Sequence, residues 1–253
     1  MAQDEEFSPP KPQNALAIFC RAPRLGTVKT RLAQTHGDEF TLGLYRAMLV
    51  DTFELGRALA PAVETFACFT PPEAFEGENS LAQLWDGPTI AQCEGDLGER
   101  MLDCLAQLRA RGFQKVVLIG SDSPDLPRRR LQKAFDSLDR SEFVIGRARD
   151  GGFYLFGACR TVPEWTFRWI DWSGPQATGF LPWAGAYNQI TTNFLHHRES
   201  SGQKTPGGSR WSLERLLAWD DVDDDGDLIQ LRRRLFEVGT HAPHTRQFLE
   251  NHP

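Results

Sequence analysis

The chain has 253 residues, with 28 basic and 34 acidic side chains and a formal net charge of −6. That length can bury a substantial core as one large or two small domains. A composition of 40% hydrophobic and 25% charged residues excludes global disorder, collagen-like repeats and coiled coil. The acidic balance excludes a protein that coats nucleic acid by bulk charge, although a local basic pocket stays open.

Residues 1–14 (MAQDEEFSPPKPQN) are acidic and Pro-rich, lack an apolar signal core and read as a disordered tail. Residues 15–20 (ALAIFC) form a short apolar run and read as a buried strand. The loop of residues 21–31 follows, carrying Arg21, Arg24, Lys29 and Arg31 beside Gly26 and Thr30. Leu42, Tyr45, Leu49, Thr52, Phe53 and Leu59 recur at helical spacing. Residues 63–69 read as a second strand, broken by Pro71 and Pro72. Asp96 and Glu99 have the spacing of a capping box, ahead of a helical face of Leu97, Met101, Leu105 and Leu108 and a stop at Gly112.

Residues 115–120 (KVVLIG) are the clearest buried strand, followed by S-D-S-P-D-L-P and a polar helix ending near Leu138. Residues 142–146 read as another strand and residues 151–157 as its Gly-flanked neighbour. From Trp165 onward an aromatic, Pro/Gly-rich region has no clean period. Residues 196–210 read as a mobile loop, and residues 227–238 as a last amphipathic helix. The repeated strand–loop–helix order predicts a mostly parallel α/β sheet with its site at the carboxyl ends of the strands. The predicted organisation is one three-layer α/β/α domain over residues 15–240, with a C-terminal tail over residues 241–253.

No stretch approaches the roughly 20 apolar residues of a membrane span. The five widely spaced cysteines include no C-x-x-C pair, which fits a reducing cytoplasm and buried, unreactive thiols.

Four cations directly after a buried strand, in an acidic chain, point to phosphate. The segment is not a Walker A loop, because Val28 stands where the second glycine is required, and no G-x-G-x-x-G is present. Asp122, at the end of the strongest strand, suits a hard divalent cation that shares its shell with phosphate oxygens. Asp125 fits either a ligand or a helix cap. The stretch of residues 221–228 (DVDDDGDL) copies the first half of an EF-hand loop, but Arg232 stands where the bidentate Glu is needed. It reads either as a solvated acidic cap or as further metal ligands facing Asp122. The Asp150-Gly151-Gly152 turn lets backbone approach a ligand. His196, His197, His241 and His244 show no evident carboxylate partner, and no G-x-S-x-G supports a hydrolase.

The motifs occur in a specific order: F-C-R-A-P-R-L-G-T-V-K-T-R-L (19–32), Y-R-A-M-L-V-D (45–51), G-D-L-G-E-R-M (95–101), I-G-S-D-S-P-D-L (119–126), D-G-G-F-Y-L-F-G (150–157), W-S-G-P (172–175) and D-V-D-D-D-G-D-L (221–228). Over about residues 15–235 this order resembles a bacterial family of glycosyltransferase-A-type (GT-A) proteins of unassigned function, some of which carry the label arsenosugar-biosynthesis glycosyltransferase. It is similar, more distantly, to 2-phospho-lactate guanylyltransferases.

The resemblance implies a nucleotide-diphospho-sugar transferase fold and a bound Mg²⁺ or Mn²⁺. Its partners would be a nucleotide or nucleotide-sugar and a small-molecule acceptor, with no nucleic acid and no membrane. Arg21, Gly26, Lys29, Thr30, Arg31 and Ser121 would hold phosphates. Asp122, with Asp221 or Asp223, would hold the metal. Asp150, Gly151, Gly152, Trp172 and Ser173 would line the substrate side. Lys29, Arg31, Asp122 and Asp150 would carry catalysis. The chain departs from the family pattern at Arg147, Gly174 and Asp224 and in the inserted residues 196–210, all bearing on the acceptor side. Glycosyl transfer is the first expectation. Nucleotidyl transfer with pyrophosphate release and a non-catalytic nucleotide-binding module are the alternatives.

Overall fold

The computed structural model describes residues 12–75, 80–168, 170, 172, 185–200 and 211–253. Seven strands form one sheet in the order β3-β2-β1-β4-β6-β5-β7. They are β1 (Asn14–Arg21), β2 (Val63–Thr70), β3 (Thr89–Ala91), β4 (Lys115–Gly120), β5 (Phe143–Ala148), β6 (Phe153–Ala158) and β7 (Leu213–Trp219). The pairs β1–β2, β1–β4, β2–β3 and β5–β7 are parallel, and β6 runs antiparallel between β4 and β5. The predicted neighbour of β5 is therefore a hairpin partner that wedges itself into the centre of the sheet.

The central strands β1, β4 and β6 form around continuous apolar runs. Every side chain from Ala15 to Cys20 is buried, as is every residue of β6. A strand buried on alternate side chains alike must be covered on both faces, which needs a helical layer on each. The covering helices are α2 (Asp38–Arg57) on β1 and β2, α3 (Leu97–Ala110) on β4, α4 (Arg128–Ser137) on β4, β5 and β7, and α5 (Ala186–Ser200) on β5. The Asp96–Glu99 capping box is present as read: the Glu99 N–H donates to Asp96 Oδ1 at 2.9 Å, and Glu99 Oε2 accepts from the Asp96 N–H at 2.8 Å.

A second cluster lies beside the main core. Leu32 of α1 (Thr30–His36), Leu44 and Met48 of α2, Leu228 and Leu231 of α6 (Asp225–Arg233) and Leu249 of α7 (Pro243–Glu250), together with Val222, Leu235 and Ala242 from the segments between, form it. This cluster fixes α1 against α6, and so sets the cationic segment opposite the late acidic one.

Several boundaries differ from the sequence reading. The expected C-terminal tail is in fact α7, docked on α2 with Thr245 and Leu249 buried. Asp51 of α2 accepts from the backbone N–H groups of His244 at 3.0 Å and Thr245 at 2.7 Å, supplying the cap that the helix sequence lacks. The expected loop of residues 196–210 begins inside α5, which continues to Ser200, and its remainder lies outside the described residues. The expected tail of residues 1–14 also lies largely outside them, and β1 already begins at Asn14. Arg31 sits in the first turn of α1 rather than in a loop. The last predicted helix starts at Asp225 and ends in a π-turn over Arg234–Val238. Among the described residues no helix is long and apolar enough to cross a membrane.

Candidate functional site

The parallel strands β1, β4, β5 and β7 end at Arg21, Gly120, Ala148 and Trp219, and β6 starts at Phe153. The cationic segment, Ser121–Asp122, the Asp-Gly-Gly turn and the late acidic stretch therefore all leave the sheet at one edge. This is where ligands bind in open α/β sheets.

The centre of this edge is a charge cluster. The ammonium of Lys29 contacts Asp122 Oδ1, and it lies 3.6 Å from Asp223 Oδ1. Its side chain is only 5% exposed, so the charge is held by these partners rather than by water. Burial works against that charge, but the Asp122 and Asp223 carboxylates outweigh it and hold the ammonium above the usual lysine value. Arg31, two residues on, spans Asp223 at 3.3 Å and Asp224 at 2.8 Å. The backbone of Val222 donates to the Asp122 carbonyl at 2.9 Å, tying the β4 end to the acidic stretch.

Asp221 sits inside this group with 8% exposure, and its carboxyl is pushed up to about 8. Burial is the main cause. The Asp150 charge adds to it, Lys29 opposes it, and Asp122 and Asp227 add again. The Asp150 carboxyl is likewise raised by loss of water, against the stabilising Gly152 N–H that it accepts at 2.9 Å. Gly151 takes φ 99° in this turn, a conformation that a side chain would strain. The Gly151 carbonyl accepts from the Gly185 and Tyr187 N–H groups, both at 3.3 Å, so the start of α5 rests on the turn.

The cap reading of the acidic stretch holds for part of it, and the rest faces the cationic segment. Asp224 and Asp227 form the capping box of α6, with the Asp227 N–H donating to Asp224 Oδ1 at 3.2 Å and Asp227 Oδ2 accepting from the Asp224 N–H at 3.1 Å. Asp221 and Asp223 instead join the Lys29 cluster. Asp125 neither caps a helix nor faces the cluster. It is 1% exposed and accepts from Arg234 Nε at 2.7 Å, Arg234 Nη2 at 3.2 Å and Thr240 Oγ1 at 3.0 Å.

The other predicted residues lie around this centre. The Arg21 side chain makes no hydrogen bond or ion pair with a described residue, while its backbone is held at both ends by the Tyr45 hydroxyl. Ser121 is buried, and its hydroxyl lies 3.3 Å from the same phenol. Gly26 and Thr30 are exposed. Trp172 packs on Phe167 and against Gly98 at the start of α3, and Ser173 lies outside the described residues. Cys20, Cys68 and Cys104 are buried and all five cysteines are free. Burial, then the Asp122 charge, pushes the Cys20 thiol well up, so it is unreactive.

Tyr45 escaped the sequence reading because it counts there only as one more member of a helical face. Asp227 was hidden in the same way by its acidic neighbours. His244, read as lacking a carboxylate partner, lies 3.0 Å from Glu54, 190 residues earlier and invisible to local inspection. Among the described residues, Asp51, Glu54 and His244 are the group of three potential ligands drawn within 4.8 Å of one another. Asp51 there is already engaged by both α7 N–H groups, and Glu54 by His244. The expected ligands Asp122, Asp221 and Asp223 are not drawn together in that way, and the Lys29 ammonium stands between the first and the last.

Residues 55–174 match the model of a family described as an uncharacterized protein conserved in bacteria (DUF2064). The match includes Ser121, Asp122 and the Asp-Gly-Gly turn. The cationic segment lies before it and the late acidic stretch after it. A structure from Desulfovibrio desulfuricans G20, provisionally described as a nucleotide-diphospho-sugar transferase, superposes with a TM-score of 0.78 at 28% identity, covering 95% of each chain. A CMP:2-keto-3-deoxy-manno-octonic acid synthetase complexed with CTP gives a TM-score of 0.50 at 12% identity, over 89% of this chain and 99% of that one. A cytidylyltransferase from Leptospira borgpetersenii serovar Hardjo-bovis gives 0.50 at 12% identity, over 96% and 95%. No curated protein matches the chain. The fold is thus the α/β fold shared by nucleotide-diphospho-sugar transferases and nucleotidyltransferases, as the motif order predicts.

Proposed function

We propose that this transferase moves a glycosyl group from a nucleoside-diphospho-sugar to a small-molecule acceptor, at the strand edge built around Lys29, Asp122 and Asp223. The observation that supports this reading is the pairing of a cationic segment with carboxylates from two other strand ends at one site. An acidic protein gains from burying such a set when the ligand brings both phosphate and a divalent cation.

The residues suit a divalent cation. Asp122, Asp221 and Asp223 offer hard carboxylate oxygens, and the buried ammonium already among them marks a place where positive charge is favoured. Asp221, raised to about 8 first by burial and then by the Asp150 charge against the opposing Lys29, is a carboxyl whose ionisation a bound cation would favour. Asp122 and Asp223, with Asp221 beside them, would hold Mg²⁺ or Mn²⁺, which when bound neutralises the diphosphate that leaves.

Arg21, whose guanidinium has no partner among the described residues, and Arg31 at the rim bind the diphosphate oxygens and stabilise the charge that develops on them. The Gly151–Gly152 backbone and Trp172 form the side that receives the sugar and the acceptor. Asp150 stands at that rim with a raised carboxyl, suited to take the proton of an acceptor hydroxyl. The bond between the anomeric carbon and the phosphate oxygen breaks, the acceptor oxygen forms the new bond to that carbon, and the nucleoside diphosphate departs.

The second reading, nucleotidyl transfer, is favoured by the density of cations in residues 21–31, which suits a triphosphate. Product analysis with a panel of nucleoside-diphospho-sugars and nucleoside triphosphates, with Mg²⁺ or Mn²⁺, separates the two. Nucleoside diphosphate release coupled to a glycosylated acceptor is expected. Pyrophosphate release from a triphosphate, without sugar transfer, would replace the first reading by the second. Calorimetry that finds no nucleotide bound with either cation would remove both.

A further inference from the structure

Lys29 is in the wrong place for a residue that binds phosphate. Its ammonium is buried and turned onto Asp122 and Asp223, the same carboxylates that the reading above assigns to the divalent cation. There it is committed to carboxylates rather than to a phosphate. A doubly charged ion on those carboxylates is opposed by the like charge beside it at a site this buried. Arg31 shares that conflict only at Asp223, because its guanidinium is 38% exposed and its shorter contact is Asp224, a helix cap.

The backbone marks the same residue. Lys29 precedes the first turn of α1 with φ 47° and ψ 46°, and among the described residues it is the one non-glycine with positive φ. A residue with a Cβ keeps that conformation where surrounding contacts hold it. Lys29 combines that backbone with a side chain engaged by Asp122 and Asp223.

We propose that Lys29 is a built-in counter-ion: it holds the carboxylate pair when no divalent cation is bound, and releases it when one enters. The freed ammonium then becomes the group that meets the phosphate. This rests on the assignment of Asp122 and Asp223 as cation ligands. It adds that cation entry and phosphate binding are linked through one side chain. By reciprocity, phosphate that draws Lys29 away raises the affinity of the carboxylates for the cation by the same factor. The Asp51–Glu54–His244 group carries no comparable inference, because its atoms are already used in capping α7 and in an ion pair.

The test reads the position of Lys29 directly in the wild-type protein. Amine acetylation is followed at Lys29 by peptide mass spectrometry, with exposed Lys133 as reference and Lys115, paired with Asp139, as a control for loosening of the fold. Calorimetry run in parallel reports Mn²⁺ binding. Mn²⁺ alone is expected to raise the Lys29-to-Lys133 ratio by about tenfold or more as the released side chain becomes the major population, with Lys115 unchanged. Pyrophosphate added with Mn²⁺ is expected to protect Lys29 again.

If Mn²⁺ binds and Lys29 stays protected, the exchange is wrong while the cation site stands. If Lys29 and Lys115 become reactive together, the fold has loosened and the exchange is refuted. If no Mn²⁺ binds, with or without pyrophosphate, the assignment of the carboxylates fails and the exchange falls with it. A second measurement uses Lys29→Met and, as control, Lys133→Met. Removing Lys29 is expected to tighten Mn²⁺ binding without pyrophosphate and to reduce the gain that pyrophosphate gives, whereas Lys133→Met, at an exposed position, changes neither. Equal behaviour of the two variants would overturn the proposal.

Discussion

Replacing Asp221 by asparagine tests the electrostatics of the site without a ligand. The Asp221 carboxyl titrates at about 8 in the folded chain against an ordinary value of 3.8. The folded state therefore holds a proton that the unfolded chain has already lost over that interval. The sign follows: stability that is fully present at low pH is lost as pH rises from about 4 to about 8, because the folded state binds more protons there. The two values differ by the equivalent of on the order of 5 kcal/mol between the protonation states. The amide of the Asp221→Asn variant carries no charge at any pH, so the substitution removes this contribution while keeping the shape of the side chain. Urea unfolding of both proteins at about pH 5 and about pH 8.5, on either side of the folded-state titration, is the assay. The variant is expected to exceed the wild type by about 1–2 kcal/mol at the lower pH, one unit into that interval, and by about 5 kcal/mol at the higher, so that the curves diverge with rising pH. Stability profiles that run parallel between the two conditions would refute the raised Asp221 carboxyl, and with it the burial and the carboxylate neighbours that raise it.

Asp125→Ala leaves the Arg234 guanidinium buried beside a missing partner, and is expected to cost about 3–5 kcal/mol. A loss below about 1 kcal/mol in urea unfolding, the range of an exposed ion pair, would show that Asp125 does not pin the π-turn segment. Asp51→Ala removes the acceptor for two N–H groups of α7 and should cost about 1–2 kcal/mol. Amide exchange should quicken in residues 243–250 while the sheet is unaffected, and uniform exchange across the chain would contradict a local cap. Arg21→Ala is expected to weaken nucleotide binding about tenfold or more, the scale of a lost charge-assisted contact. It should leave the melting temperature unchanged, because Arg21 has no side-chain partner to lose among the described residues, and unaltered binding would take Arg21 out of the phosphate site.

The parts of the molecule that were legible in the sequence are those where one local property decides the outcome. β1, β4 and β6 each carry a continuous apolar run because both faces of the sheet are covered, so each announces itself. The Asp96–Glu99 box announces itself because both partners of the cap lie within three residues. The site edge was legible for the same reason: polar motifs follow directly on apolar runs. What stayed hidden depends on partners far along the chain. β7 lies at the sheet edge with one residue fully buried among seven, so it carries neither a continuous run nor a regular alternation. α7 has eight residues and buries Thr245 and Leu249, too few for a helical period to emerge. Its stability comes from Asp51, 194 residues away at the Thr245 contact.

The charge cluster shows the same limit at the level of function. Lys29, Arg31, Asp122, Asp221 and Asp223 were each legible as chemistry-bearing residues, because charge beside a strand end needs a reason. Their pairing was not legible, since it is set by Leu32 and Leu228 packing in the second core, which turns α1 toward α6. A reading that sees the cations and the carboxylates separately gives the cations to phosphate and the carboxylates to metal. The packing instead sets Lys29 against Asp122 and Asp223 and Arg31 against Asp223 and Asp224. Any ligand that uses either set must therefore compete with the other, and the affinity of this site for phosphate and for a divalent cation is in each case a difference between two ion pairings rather than the strength of one.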